Sequence, residues 1–335
     1  MKILLDSYNN SFQHIGGGVP MKVQMYHQYF QTPDITTKLF DKWNDKLADY
    51  DILHIVKLTV DNCAQIKFAK DLGKKVVISA VIPQIEPLKI KIALLLKKYL
   101  KISSLYSLIY QSLKLADSII VETSIEANFI INNYNISKSK IVVIPNGVNQ
   151  QILDNFENDM SVSKDIVLCV GRFDSNKNQL NLIRALRGTD YQLHFIGGSS
   201  PYDNSYYTKC KDAAKEYGNI HFHGWMSNES KEYFDLYKCA RVVCLVSHNE
   251  IFGNALIEGG ASGANLVATS VLPVQEWGFN EHCVSVDVSN PENIKNAVQK
   301  AYSMPIDKSL FSIIKKQFAW EVIVDKHVNV YKSLM

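Results

Sequence analysis

Glu250 and Glu258 stand eight residues apart around Ile251-Phe252-Gly253-Asn254, and two cations, Arg172 and Lys177, lie in Gly171-Arg-Phe-Asp-Ser-Asn-Lys177. Before the first glutamate, Arg241–Ser247 is short, apolar and β-branched, which predicts a buried strand; Ala255–Ser262 predicts a helix opening behind Gly253. One carboxylate then sits in a strand-to-helix loop and the other on the first turns of the helix. Backbone N–H groups at a helix start attract anions, phosphate foremost. Carboxylates beside them can accept hydrogen bonds from sugar or ribose hydroxyls. Arg172 follows a predicted strand at 166–170, and Lys177 precedes a predicted helix, Gln179–Leu186. Arginine grips phosphate with paired N–H groups and lysine acts as a point charge, so the two could stabilise a diphosphate as its bond to a sugar breaks. A sugar nucleotide suits both sets. Read singly, each residue is equally a surface charge, or in Glu258 a helix-start acid favoured by the dipole.

The elements that must carry these residues are legible as alternating apolar runs and helix-length segments. Candidate strands are 3–5, 52–56, 76–80, 118–121 and 141–144, then 166–170, 192–196, 242–246, 265–268 and 283–286. Strands spaced by helices imply βαβ units and parallel sheets. The turn signal Pro145-Asn-Gly-Val148 closes the first series, and a polar stretch near 149–163 reads as a linker. The fold class is therefore α/β, with an N-terminal domain over 1–148 and a second over 149–317. Ligands of open parallel sheets bind beyond the carboxyl ends of strands. Gly16, Gly17 and Gly18 follow the first strand and precede the helix-like Val19–Tyr29, so their backbone can approach a bulky anion or simply turn. Their spacing is not the Gly-x-Gly-x-x-Gly of a nicotinamide site, which argues against a dehydrogenase.

Composition narrows the partners. The chain has 335 residues, 47% hydrophobic and 21% charged, as in soluble globular proteins, and no run reaches the ~18 apolar residues of a membrane span. Met1-Lys-Ile-Leu-Leu-Asp6 turns acidic too soon for a signal peptide, so a cytoplasmic protein with reduced cysteines is expected. The six cysteines show no Cys-x-x-Cys spacing, and Asp49-Tyr-Asp51 precedes a strand, at the wrong end of a sheet for a metal site. No metal, cofactor or nucleic acid is expected. The first 150 residues hold 18 Lys+Arg against 12 Asp+Glu, and the remainder 18 against 21. Leu88–Leu115 holds six lysines and no acid among Leu, Ile and Tyr, and 92–101 could form a basic amphipathic helix. Such a helix either lies on an anionic membrane or packs on the sheet with its lysines solvated.

In order and spacing, the chain resembles the retaining GT-B-fold glycosyltransferases of the family 4 type (glycosyl transferases group 1). The resemblance rests on Gly16–Gly18, Pro-Asn-Gly-Val at 145–148, Gly-Arg-Phe-x-x-x-Lys at 171–177 and Phe-Ile-Gly-Gly at 195–198. It continues through His-Gly-Trp-Met at 223–226, Glu-x7-Glu at 250–258, Ala261-Ser-Gly263, Val267-Ala268 and Phe318-Ala-Trp320. It is dense over 141–335 and sparse before that. It implies two Rossmann-like domains facing each other across a cleft, with a C-terminal helix at about 318–335 returning to the first. It implies that Arg172 and Lys177 hold the donor diphosphate, that Glu250 and the backbone of Ile251, Phe252, Gly253 and Asn254 face the sugar and phosphates, and that Glu258 binds ribose. Gly198 and Met226 would line the nucleotide, with the main chain of Met226 beside the base, while Gly16–Gly18 approach from the first domain. His14 and Lys57 are candidate acceptor-side residues. Relatives often carry a histidine where Val81 stands; His54, in a predicted strand, reads as a core histidine.

The expected activity is metal-independent transfer of a sugar from a nucleotide sugar to a glycan or lipid-linked acceptor, with retention. Cell-surface polysaccharide synthesis, peripheral at the inner face of a membrane, is the expected setting. A sugar-nucleotide epimerase or hydrolase of the same fold, or a non-catalytic nucleotide-sugar-binding subunit, stays open on the residues.

Overall fold

The computed structural model describes residues 1–13, 18–82, 86–158, 164–199, 204–306 and 308–335. The chain divides into two compact units, Met1–Asn146 with Trp320–Met335, and Gly147–Ala319.

The first unit runs β1 (Lys2–Asp6), α1 (Gly18–Tyr29), β2 (Thr36–Leu39), β3 (Ile52–Val56), α2 (Cys63–Asp71) and β4 (Lys75–Ser79). It continues with α3 (Pro87–Leu100), α4 (Leu105–Leu115), β5 (Ser118–Val121), α5 (Ser124–Tyr134) and β6 (Ile141–Val143). Its six strands are all parallel in the order β2-β1-β3-β4-β5-β6. Every residue of β3 and β5 is buried, which is why these strands read as continuous apolar runs rather than alternating ones. Helix starts are set locally: Ser104 and Ser107 form a capping box before α4, and Thr123 caps α5 by accepting from the Glu126 N–H at 3.2 Å.

The second unit holds α6 (Gln150–Asn158), β7 (Ile166–Val170), α7 (Gln179–Leu186), β8 (Gln192–Ile196), α8 (Ser205–Ala214) and β9 (Ile220–Phe222). Then follow α9 (Lys231–Cys239), β10 (Ala240–Leu245), α10 (Asn254–Ala261), β11 (Asn265–Thr269), β12 (Cys283–Val286), α11 (Pro291–Ser303) and α12 (Ser309–Phe318). Its parallel sheet has the order β12-β11-β10-β7-β8-β9, the doubly wound order whose reversal point lies between β7 and β10.

The stretch read as a linker is in part a helix of the second unit. Ile152, Leu153 and Phe156 of α6 are buried, and their spacing puts them on one face. Two strands, β2 and β9, were not expected. Both are edge strands; β2 (Thr-Thr-Lys-Leu) is half polar and β9 has only three residues, so neither carries a strong apolar signal.

The last helix, α13 (Trp320–Leu334), packs in the first unit. The Trp320 ring stacks on Tyr29 at 5.1 Å. His54, wholly buried in β3, bonds Tyr331 Oη through Nδ1 at 2.7 Å and Ser79 Oγ through Nε2 at 2.9 Å. His327 Nε2 meets Tyr26 Oη at 3.1 Å. His54 is thus a satisfied core histidine.

Candidate active site

Gly171 follows β7 with φ +152°, and its N–H donates to Ile196 O at 2.9 Å. Gly197, after β8, has φ +135° and donates to Gly224 O at 2.7 Å. A Cβ on Gly197 would lie 2.1 Å from Gly171 O, so only glycine lets these loops close on each other. Gly198 accepts from the Phe173 N–H at 2.8 Å, and a Cβ there would strike the Trp225 indole at 2.4 Å. The carboxyl ends of β7, β8 and β9 are therefore joined through their backbones, with Gly198 and half-buried Met226 in the joined loops.

From this frame the loop after β7 carries its two cations. Asp174 Oδ1 accepts from the Lys177 N–H at 3.0 Å and tightens the turn. Asp174 Oδ2 accepts from Arg172 Nε at 3.0 Å and Nη2 at 2.8 Å, fixing the guanidinium while its side chain stays about half exposed. Asn176 ties this loop to the one after β10. It donates to Asn249 O at 2.9 Å, accepts from the Asn249 N–H at 3.0 Å, and its carbonyl accepts from the His248 N–H at 2.7 Å. The pairing brings Lys177 Nζ to 2.6 Å from Glu250 Oε2, which also accepts from Ser247 Oγ at 3.1 Å. Lys177 and Glu250 thus meet at the reversal point of the sheet, where doubly wound folds bind ligands.

Gly253, with φ +85°, turns the chain into α10; a Cβ there would meet Leu245 at 2.4 Å. No side chain caps α10 and its first turn holds no acid, which leaves its positive end to a ligand. Phe252 faces the core against Trp277 at 5.3 Å and Phe318 at 5.8 Å, so only its backbone can face the loop. Ile251 and Asn254 are half-buried beside it. Glu258, a turn further, is held from α9: its Oε2 accepts from Tyr233 Oη at 2.7 Å and Tyr237 Oη at 3.0 Å. Burial raises its carboxyl pKa, and the two hydroxyls partly counter that rise. Its Oε1 makes no hydrogen bond among the described residues.

The structure therefore joins Lys177 to Glu250 directly, turns Arg172 onto Asp174, and commits one oxygen of Glu258 to two tyrosines. Asp174, Asn176, Ser247, Tyr233 and Tyr237 escaped the reading of the sequence. Asp174 and Asn176 lie within the Arg172–Lys177 motif and were legible as turn formers. The tyrosines had no local signal.

In the first unit, Gly18 opens α1 and Lys57 follows β3 with φ +70°, its Nζ 4.7 Å from the centroid of the Tyr8 ring. His14, Gly16 and Gly17 lie outside the described residues. Val81, where a histidine would be expected, follows β4 at φ +45°, a backbone rarely adopted by a β-branched residue. Among the described residues no group of three or more His, Cys, Asp or Glu is placed to hold a metal ion, and the Asp51 carboxylate caps the Lys2 N–H at 2.8 Å.

Two six-stranded parallel α/β units, the second with its charged pair at the reversal point, place the chain in the GT-B class of folds. Residues 151–317 match the family described as Glycosyl transferases group 1, and the chain belongs to that family. It is similar to a glycosyltransferase of Methanocaldococcus jannaschii, itself uncharacterised, at 28% identity over 226 residues, which is 60% of this chain and 56% of the relative. The chain spans about half the length of such curated relatives. Sucrose-phosphate synthase from Thermosynechococcus elongatus shares the fold with a TM-score of 0.75 at 18% identity, over 99% of this chain and 98% of that one. Anabaena HepE, solved in complex with UDP, does so with a TM-score of 0.74 at 12% identity, over 99% and 100%.

Proposed function

We propose that the protein transfers a sugar from a nucleotide-sugar donor to a glycan or lipid-linked acceptor, with retention of anomeric configuration and without a metal ion. The observation that carries this is the Lys177–Glu250 pair at the reversal point, beside the uncapped start of α10. Lys177 and Arg172 take the diphosphate, and a bound phosphate competes with Glu250 for the Lys177 ammonium. Glu250, released toward the sugar, accepts from its hydroxyls, and Glu258 Oε1 accepts from the ribose. In the transfer, the bond from the anomeric carbon to the diphosphate oxygen breaks as the bond to the acceptor oxygen forms on the same face. The acceptor proton passes to the departing phosphate oxygen, so no protein base is needed and Val81 can stand where relatives carry histidine. The UDP complex of HepE supports a nucleotide sugar as donor.

A thermal-shift panel of UDP-, GDP- and other nucleotide sugars identifies the donor. Product anomers read by NMR after incubation with glycan acceptors then test the transfer. Stabilisation by a nucleotide sugar and a product with the donor's anomeric configuration are expected. An inverted product, or nucleotide release with no dependence on an acceptor, overturns the reading, the latter in favour of a hydrolase.

A second feature supports work at a membrane surface in cell-surface polysaccharide assembly. Among the described residues no helix is long and apolar enough to cross a membrane. In α3, Ile90 and Ala93 are buried, while Leu88, Ile92, Leu95 and Tyr99 are exposed at spacings of four, three and four on the opposite side. Lys89 flanks this ridge on one side and Lys91 and Lys98 on the other. An apolar ridge between lysines suits an anionic bilayer, with the ridge among acyl chains and the ammonium groups at the headgroups. The expected surface over Leu88–Leu115 is thereby narrowed to α3 and its end, because α4 buries Ser107, Ile109, Ser112 and Leu113.

A further inference from the structure

A pocket of about 330 Å³ opens within the first unit at the carboxyl ends of the neighbouring strands β1 and β2. Its floor and walls come from Leu5 and Asp6 at the end of β1, Tyr8 and Asn9 in the loop that follows, and Phe40–Trp43 after β2. That volume lies in the ~300–1,000 Å³ range of small-molecule sites, and the end of a parallel sheet is where such sites form.

Its chemistry is specific. Asp6 Oδ2 is buried without a short hydrogen bond among the described residues; Lys42 Nζ, 3.7 Å away, forms an ion pair with it, and the Gln65 side chain also acts on the carboxylate. Lys42 Nζ also donates to Asn9 Oδ1 at 2.6 Å. A ligand hydroxyl that accepts from Lys42, whose side chain is 42% exposed, could also donate to the accessible part of the Asp6 carboxylate, whose side chain is 11% exposed.

At the rim, Trp43 is 95% exposed. It is held there by its turn: Asp41 Oδ1 accepts from the N–H groups of Trp43 at 3.0 Å and Asn44 at 3.3 Å, and Asp45 Oδ2 accepts from the Asp41 N–H at 2.9 Å. An indole displayed on a braced turn offers a flat apolar face beside a polar floor. That combination matches a sugar ring, which has an apolar C–H face and hydroxyls around its edge. Because Asp6 already balances the Lys42 ammonium, the floor offers no unpaired positive charge to a phosphate or carboxylate and suits a neutral ligand.

We propose that this pocket is a subsite for one neutral glycosyl residue of the acceptor, stacked on Trp43 with hydroxyls on Asp6, Lys42 and Asn9. The inference rests on the reading of the first unit as the acceptor side.

The test is calorimetric titration, without nucleotide, of methyl glycosides and disaccharides of glucose, galactose, mannose and N-acetylglucosamine. Wild type, Trp43→Ala, Trp43→Phe and Asp6→Asn are compared, each shown by its melting curve to be folded. Saturable binding to wild type is expected, weakened at least about tenfold in Trp43→Ala and in Asp6→Asn, with part of the affinity kept by Trp43→Phe, which retains a ring. No saturable binding of any of these sugars, or equal binding by wild type and Trp43→Ala, overturns the subsite. Uridine competing at the same indole also overturns it, in favour of a base-stacking site. Wild-type binding of nucleotide sugars is measured separately. Donor binding without glycan binding fails the subsite alone, whereas absence of donor binding fails the function proposed above.

Discussion

Lys177 Nζ and Glu250 Oε2 stand 2.6 Å apart although 73 residues separate them. The contact links the loops after β7 and β10, the two strands between which the second sheet reverses its order. A partly exposed ion pair of this kind is worth only ~0–1 kcal/mol to the fold. Its value lies in position: a cation and a carboxylate are presented together beside the start of α10.

Replacing either cation should therefore damage turnover without unfolding the protein. Arg172→Ala and Lys177→Ala are each expected to lower kcat by ~10²–10³-fold, the usual effect of removing one charge-stabilising donor. Melting temperatures should move by no more than ~2–4 °C. Wild-type turnover in a folded Arg172→Ala protein would remove that residue from the site.

Glu258 should act mainly on nucleotide affinity. Glu258→Ala is expected to weaken donor binding about tenfold or more, and it also strands the hydroxyls of Tyr233 and Tyr237. Glu258→Gln keeps an acceptor for those hydroxyls, so it separates ligand binding from packing. Unchanged affinity in both variants by calorimetry would contradict the assignment.

The glycine contacts carry a stability prediction. Gly197→Ala forces a Cβ to within 2.1 Å of a carbonyl oxygen at φ +135°, and should cost about 3 kcal/mol or more. Gly218→Ala has no atom within 4 Å of the new Cβ and should stay within ~0.5 kcal/mol of wild type. Urea unfolding of both variants measures the difference.

The ridge of α3 predicts charge-dependent binding to vesicles. Sedimentation with vesicles containing phosphatidylglycerol should succeed, fail with phosphatidylcholine alone, and weaken in high salt. At ~1 kcal/mol per lysine, the double variant Lys91→Glu, Lys98→Glu should bind at least ~30-fold more weakly. Leu95→Glu should abolish binding. Equal sedimentation of these variants and wild type would count against a membrane role.

The buried histidines give the first unit an acid-sensitive stability. Burial lowers both groups, His327 to about 3 and His54 well below its usual value. In the unfolded chain they protonate near ~6.5, so the unfolded state binds more protons as the solution is acidified. The neutral rings contribute fully above that pH, and the contribution is lost as pH falls toward 3. Urea midpoints should drop between pH 7.5 and 4.5, less steeply in His327→Phe. Identical slopes in the two proteins would refute this origin.

Much of the architecture was legible because buried parallel strands are continuous apolar runs. Gln179–Leu186 and the two strands before the charged loops lie where local pattern put them, to within two residues. The edge strands β2 and β9 were missed because half-exposed residues need not be apolar. Helix α6 was read as linker because its three apolar residues sit in a polar stretch and matter only once packed.

The sequence by itself determined which residues carry charge, and that each charged loop joins a strand to a helix, because residue type and periodicity are local properties. Only tertiary structure decided that Lys177 meets Glu250, that Arg172 is braced by Asp174, and that Glu258 rests on two tyrosines of α9. Those pairings depend on strand order and on which helix covers which face. Both are set by burial of apolar surface across the whole unit, and local spacing does not encode them.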